Sequence, residues 1–317
     1  MKKRFGLVST VFFIAIFFYY FINNREVFYE LASVSALALV LISLLKVGKI
    51  LNSSLYNIAT VGAYGKKLPF WDSFYMSLLT TIGNYFGPLL GGAGIRAMYL
   101  KKKYKFAYTD FIATLSGFYI ISFSVASLIG LLSLWHIQTQ TGEYMPILYL
   151  LFGSLLTFTV FLALAPNKKF LKLIPQNVKP LAGLTTTLDR VLDGWDLIRH
   201  NAKLFIRLSW LTLGGIMLAF FTSLVEFWAL GIDLSIAPLF LYSTLSTVTL
   251  LVSITPGSIG IKEGIYIFTS DLLGITNAQV LQLAVIDRGV NYVVLFVLYL
   301  ILRAPKLKQK IREGHIA

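Results

Sequence analysis

The chain has 317 residues, 57% of them hydrophobic and 13% charged, about half the charge of a soluble domain, so lipid is the expected solvent. It has no cysteine, and His136, His200 and His315 stand far apart, which excludes a disulfide framework or thiolate metal site and leads us to expect no metal or other cofactor. The net charge of +14 invites a nucleic-acid reading, but the placement of the basic residues along the chain argues against it.

The opening "MKKRFGLVSTVFFIAIFFYYFINN" has a basic start and an apolar run longer than a signal-peptide core, with no small-residue cleavage pattern after it. It reads as a retained first membrane helix. Further runs long enough to cross a ~30 Å hydrocarbon core fall at about 29–47, 107–134, 146–165, 206–230 and 279–302, which with 5–23 makes six expected spans. Between the second and third, "GKILNSSLYNIATVGAYGKK" reads as a surface helix with Leu51, Leu55 and Ile58 toward lipid.

Two more apolar regions, 71–99 and 236–274, are interrupted by glycine and proline. The first break is "GPLLGGAGIRAMYL", followed at once by the basic "KKKYK". If 71–99 crossed the membrane once, that cluster would be outside. If the segment dips in and returns, the cluster stays with the other cytoplasmic lysines, and the loop "WHIQTQTGEYM", free of Lys and Arg, falls outside. The second broken region is flanked by "GIDLS" and "DLLGITNAQ", which carry no basic residue, so it dips from the outer side. On this topology both termini are cytoplasmic, and every Lys and Arg except Arg25, Arg96, Lys262 and Arg288 is cytoplasmic too. The basic excess is then topogenic. The competing readings of each broken region are two short helices joined at the far surface, or one kinked span.

The breaks resemble each other. "PLLGGAGIRA" and "PGSIGIKEGI" each begin with proline, carry glycine at the fourth or fifth place and a charge at the eighth or ninth. Two such segments of opposite orientation form the pattern of an inverted repeat whose unwound backbone builds a substrate site. The halves would be 1–165 and 181–303 of a single 1–317 transmembrane domain. They are joined by a linker and an amphipathic helix at 181–203, with Leu181, Leu184, Leu188, Val191, Leu192, Trp195 and Ile198 toward the lipid surface. The expected fold is therefore all-α: a polytopic bundle of about six spans, two re-entrant broken-helix hairpins and a surface helix.

Ionisable residues in apolar segments usually face the bundle interior with a partner. Arg96 and Arg288 are the candidates for holding a phosphate, and Glu263 for a counter-charge or proton-coupled switch. The glycines and proline at Gly91, Gly92, Pro256, Gly257 and Gly260 would bring free backbone N–H groups to the anion. A structural reading stays open, with Arg288–Asp287 or Arg96–Glu263 as packing ion pairs. Asp287 reads as structural, Glu226 as reaching the outer interface and Lys262 as snorkelling to the outer surface. No nucleophile elbow, D-x-D or phosphate-loop pattern is present, so no enzyme is expected.

At these residues the chain resembles the flippase-like integral membrane family that includes the transmembrane part of lysylphosphatidylglycerol synthases. The carriers are "GPLLGGAGIRAMYLKKKYKF", the P-G-x-x-G-x-x-E motif at Pro256–Glu263, and the in-span Arg288. Where many members have G-E-x-x-R, this chain has Ala93, which leaves a two-carboxylate mechanism without one of its acids. The resemblance implies a plasma-membrane protein moving an anionic or aminoacylated phospholipid between leaflets. Some relatives are fused to soluble transferase domains. This chain ends shortly after its last expected span, so the expected partners are a membrane lipid and a separately encoded lipid synthase. The alternatives are a membrane-embedded lipid-modifying transferase, with Glu263 as its acid/base group, and a non-transporting scaffold for such a synthase.

Overall fold

The computed structural model describes residues 30–86, 91–164, 189, 192, 195–252 and 255–312. Among them every regular element is helical, and five helices are long and apolar enough to cross a membrane. The expected span at 5–23 lies outside the described residues.

Helix α1, Ala36–Ala63, begins where the Ser35 hydroxyl accepts from the Ala38 N–H (3.2 Å) and ends before Gly65, whose φ of +70° turns the chain. Its 28 residues cover about 42 Å. This corrects the expected topology: the span does not stop near 47, and the stretch read as a separate surface helix is its continuation. Gly48, the one helix-weakening residue between them, is tolerated because it packs against Leu218. Lys46 and Lys49 therefore lie in mid-helix and not beyond its end.

Helices α2, Phe70–Phe86, and α3, Gly91–Tyr104, run antiparallel. Asp72, in the first turn of α2, meets Tyr99, Lys103 and Tyr104 at the end of α3, while Gly83 near the tip lies against Gly91 and Gly92. The first broken region is thus a hairpin and not a single kinked span. Helix α4, Tyr108–Thr141, ends on left-handed Gly142, and α5, Pro146–Leu164, starts on a proline that fits a first helical position. Phe152 of α5 is fully buried against Gly130 of α4, where an added Cβ would meet its ring at 2.7 Å. Helix α6, Ala202–Ala229, is capped by Asn201 and packs along α1; there Asn52 Nδ2 donates to the Leu211 carbonyl (2.9 Å). Small and amide side chains of this kind hold helices together where lipid removes the hydrophobic drive.

The second broken region comprises α7, Ile236–Val248, two 3₁₀ turns (Thr249–Val252 and Pro256–Ser258), α8, Ile261–Phe268, and α9, Ser270–Leu273. It folds back along α7: Tyr266 stacks on Tyr242 at 3.9 Å between centroids, and its hydroxyl donates to the Tyr242 carbonyl. The long helix α10, Asn277–Arg312, closes the bundle.

The outward faces of the spans are apolar. Leu44, Leu150, Phe158, Leu164 and Phe296 are all more than half exposed, as suits helices surrounded by hydrocarbon. The expected surface helix is seen in part, at 195–199. Its apolar side is buried in protein and not spread on lipid: Leu192, Trp195 and Ile198 are at most 4% exposed, and Trp195 Nε1 donates to the Ala163 carbonyl (3.0 Å). Ile198 packs on Gly117 of α4. Leu181, Leu184, Leu188 and Val191 lie outside the described residues.

Candidate functional site

The turn of the second hairpin rests on the last turn of α2 in the first. Gly257, with φ +61° and ψ +17°, is so close to the Tyr85 ring that a Cβ would meet it at 3.2 Å. Pro256 opens this turn, where its missing N–H leaves no donor unpaired, and Gly260 (φ +80°) ends it. Glu263 then fastens the turn from both sides. Its Oε2 accepts from the Gly260 N–H (2.7 Å), while its Oε1 accepts from Arg288 Nε (3.1 Å) and Nη2. Arg288 Nη1 also donates to the Gly257 carbonyl (3.2 Å). Arg288, Glu263, Gly257, Gly260 and Pro256 are brought together, and what they jointly hold is the tip of the hairpin.

Beside this clamp lies a second charge cluster. Asp287 accepts from Lys46 through Oδ1 and from Lys262 through Oδ2 (3.2 Å), and Glu226 Oε1 stands 3.6 Å from Lys46 Nζ. Lys46 and Glu226 are at most 4% exposed. Ion pairs buried to this degree persist only when each charge is matched, because an unpaired one costs several kcal/mol of lost hydration. These contacts correct three expectations. Glu226 is interior and does not reach an interface, Lys262 pairs inward and does not snorkel, and Asp287 binds two lysines from other helices and not Arg288. Counting both clusters, Lys46, Lys262 and Arg288 balance Glu226, Asp287 and Glu263, so the assembly is formally neutral.

Arg96 is elsewhere. Its Nη1 donates to Asn57 Oδ1 (3.0 Å), Asn57 in turn donates to Ser77 Oγ (3.0 Å), and the guanidinium carbon lies 5.0 Å from the Phe111 ring centre. Arg96 and Arg288 share no hydrogen-bond, ion-pair or ring partner among the described residues. Gly91 and Gly92 serve the close approach of α2 and α3: Gly92 N donates to Asn84 Oδ1 (3.0 Å), and a Cβ on Gly92 would lie 2.0 Å from the Thr80 carbonyl oxygen.

Arg96 lines a cavity of about 240 Å³ between α1, α3, α4, α6 and α7. Lys49, Asn52 and Tyr56 of α1, Ser122 of α4 and Thr212 of α6 share its wall with the apolar Phe118, Leu211, Ile216 and Leu250. Lys49 was hidden from sequence reading because a lysine after an apolar run marks a membrane boundary unless the helix is known to continue. The signal available was the absence of proline, and the single glycine, between Leu37 and Val61.

The sequence that builds this apolar bundle, with its two touching hairpins, matches a known family. The family described as the lysylphosphatidylglycerol synthase TM region matches residues 5–298. The chain belongs to that family. A curated relative, described as a UPF0104 membrane protein, from Methanothermobacter thermautotrophicus, is 25% identical over 251 residues, covering 71% of each chain. This member of the lysylphosphatidylglycerol synthase TM family is a multi-pass membrane protein, and its Pro256–Glu263 motif and Arg288, the residues carrying the resemblance, form one hydrogen-bonded clamp.

Proposed function

We propose that the protein moves a phospholipid, anionic or aminoacylated, between the leaflets of the cytoplasmic membrane, with both termini on the cytoplasmic side. The observation that carries this reading is the roomy cavity lined by Lys49 and Arg96 inside a bundle whose outer faces are apolar. A headgroup needs a polar passage of this kind, while its acyl chains stay in hydrocarbon. The two broken hairpins support the reading as the hinge-bearing parts: broken helices with short halves can rock against straight spans.

Transport is favoured over a transferase because Glu263, the expected acid/base group, is committed to Arg288 and the Gly260 N–H. A general base needs a free lone pair within reach of substrate. The test is headgroup translocation in proteoliposomes, followed by chemical quenching of a fluorescent phospholipid on one leaflet. Arg96→Ala is expected to slow translocation about tenfold or more, a loss of about 1.4 kcal/mol in binding or barrier. Unchanged translocation with the variant, or none by the native protein, refutes the proposal, and covalent lipid product would favour the transferase.

A further inference from the structure

The charges around the cavity do not balance, and the imbalance selects a ligand. The neighbouring ion network is neutral within itself. Among the described residues Lys49 stands within ion-pair distance of no carboxylate, although it feels the charges of Asp287 and Glu226, and Arg96 is hydrogen-bonded only to the neutral Asn57 amide. Two cations therefore line one cavity whose wall holds no carboxylate. The same wall carries buried polar atoms that have no partner among the described residues: Arg96 Nε, the Tyr56 hydroxyl and the Thr212 Oγ1, the last two on side chains 6% exposed. Buried donors left unpaired cost about 1–3 kcal/mol each. That cost is recovered when a ligand with several acceptor oxygens enters.

We propose that this cavity binds a phosphomonoester headgroup, a lipid ending in a free phosphate, through Lys49 and Arg96, with Tyr56 and Thr212 donating hydrogen bonds. The inference rests on the lipid-moving reading for its biological source, though not for the binding chemistry. A phosphomonoester carries about −1.5 to −2 charge at neutral pH and three terminal oxygens, whereas a phosphodiester carries a single charge. Only the monoester neutralises both cations. The cavity of about 240 Å³ also exceeds what phosphate alone requires, equal to roughly eight waters at about 30 Å³ each. Its apolar side, Leu211, Ile216 and Leu250, suits the glycerol and first methylenes of such a lipid.

The test uses the full chain in phosphatidylcholine nanodiscs, titrated with phosphatidic acid or phosphatidylglycerol and read by native mass spectrometry. The native protein is expected to prefer phosphatidic acid by about tenfold, a fraction of the attraction between unit charges in contact. This comparison needs no variant, so misfolding of a variant cannot rescue the proposal. Lys49→Gln and Arg96→Gln should each bring the two lipids to near-equal affinity, Lys49→Arg should keep the preference, and the exposed-site control Lys66→Gln should leave it unchanged. Inorganic phosphate that displaces phosphatidic acid identifies the phosphate as sufficient. Failure to displace it, with the lipid preference intact, assigns part of the affinity to the acyl glycerol, and both results keep the phosphomonoester.

Equal affinity of the native protein for the two lipids overturns the proposal, as does a preference that survives both neutral variants. The two readings fail separately. Selective binding without translocation sinks the transport reading alone, and translocation without selectivity sinks the phosphomonoester alone.

Discussion

Two glycines two positions apart on α3, Gly92 and Gly94, should respond to alanine in opposite directions. At Gly92 an added Cβ would lie 2.0 Å from the Thr80 carbonyl oxygen and 2.4 Å from Asn84 Oδ1, while at Gly94 nothing lies within 4 Å. Ordinary contact begins near 3.4 Å, so Gly92→Ala forces α2 and α3 apart by more than an ångström along that line. The atom in the way is backbone and cannot rotate aside. The separation would also stretch the Gly92 N–H bond to Asn84. Overpacking of this kind costs about 1–3 kcal/mol, and the lost hydrogen bond adds about 1 kcal/mol, for a total of roughly 2–4 kcal/mol. Gly94→Ala meets no obstacle and gains helix propensity, worth up to about 1 kcal/mol. The assay is the thermal midpoint of the purified protein in detergent for the native chain and both variants. The expected order is Gly94→Ala at or above native and Gly92→Ala clearly below it. Equal midpoints for the two variants would show that the α2–α3 crossing is not the tight contact described.

Lys46→Met leaves Glu226 without its cation inside the bundle and should lower stability by about 3–5 kcal/mol, whereas the exposed Lys66→Met should change it by less than about 0.5 kcal/mol. Equal effects in thermal unfolding would return Lys46 to the membrane surface. Trp195→Phe removes the indole N–H that donates to Ala163 and should cost about 1 kcal/mol, with faster proteolysis of the segment before α6 as the readout. At the open end of the first hairpin, burial would raise the Asp72 carboxyl, but hydrogen bonds from Lys103, Tyr104 and Tyr99 outweigh it and hold the group below the ordinary carboxylate value. Because its folded pKa is depressed, Asp72 contributes stability above the unfolded value of about 3.9, and the contribution is lost as pH falls through the folded value. The gap in thermal midpoint between native protein and Asp72→Asn should therefore be constant from neutral pH to about pH 5 and close only in stronger acid. A gap that closes near neutrality would contradict the Asp72 contacts.

Apolar run length was enough to read an all-helical membrane bundle, because hydrocarbon leaves the backbone no partner but itself. The two broken regions were legible for a related reason: proline beside glycine disfavours a continuing helix, and α2 ends at Phe86 just before Gly87 and Pro88, while the second break turns at Pro256 and Gly257. The P-G-x-x-G-x-x-E motif could also be read, since the hydrogen bond that Glu263 accepts from the Gly260 N–H is local. Partner choice among the charges was not legible. Lys46 and Asp287 are 241 residues apart in the chain, and which carboxylate meets which cation depends on how α1, α6 and α10 sit against one another. Depth was hidden too. A lysine at the end of a short apolar run and one in the middle of a 28-residue helix look alike until the helix is seen to continue, as α1 does through Lys46 and Lys49. The surroundings of Arg96 waited on the same packing, because only the meeting of five helices forms the cavity it lines.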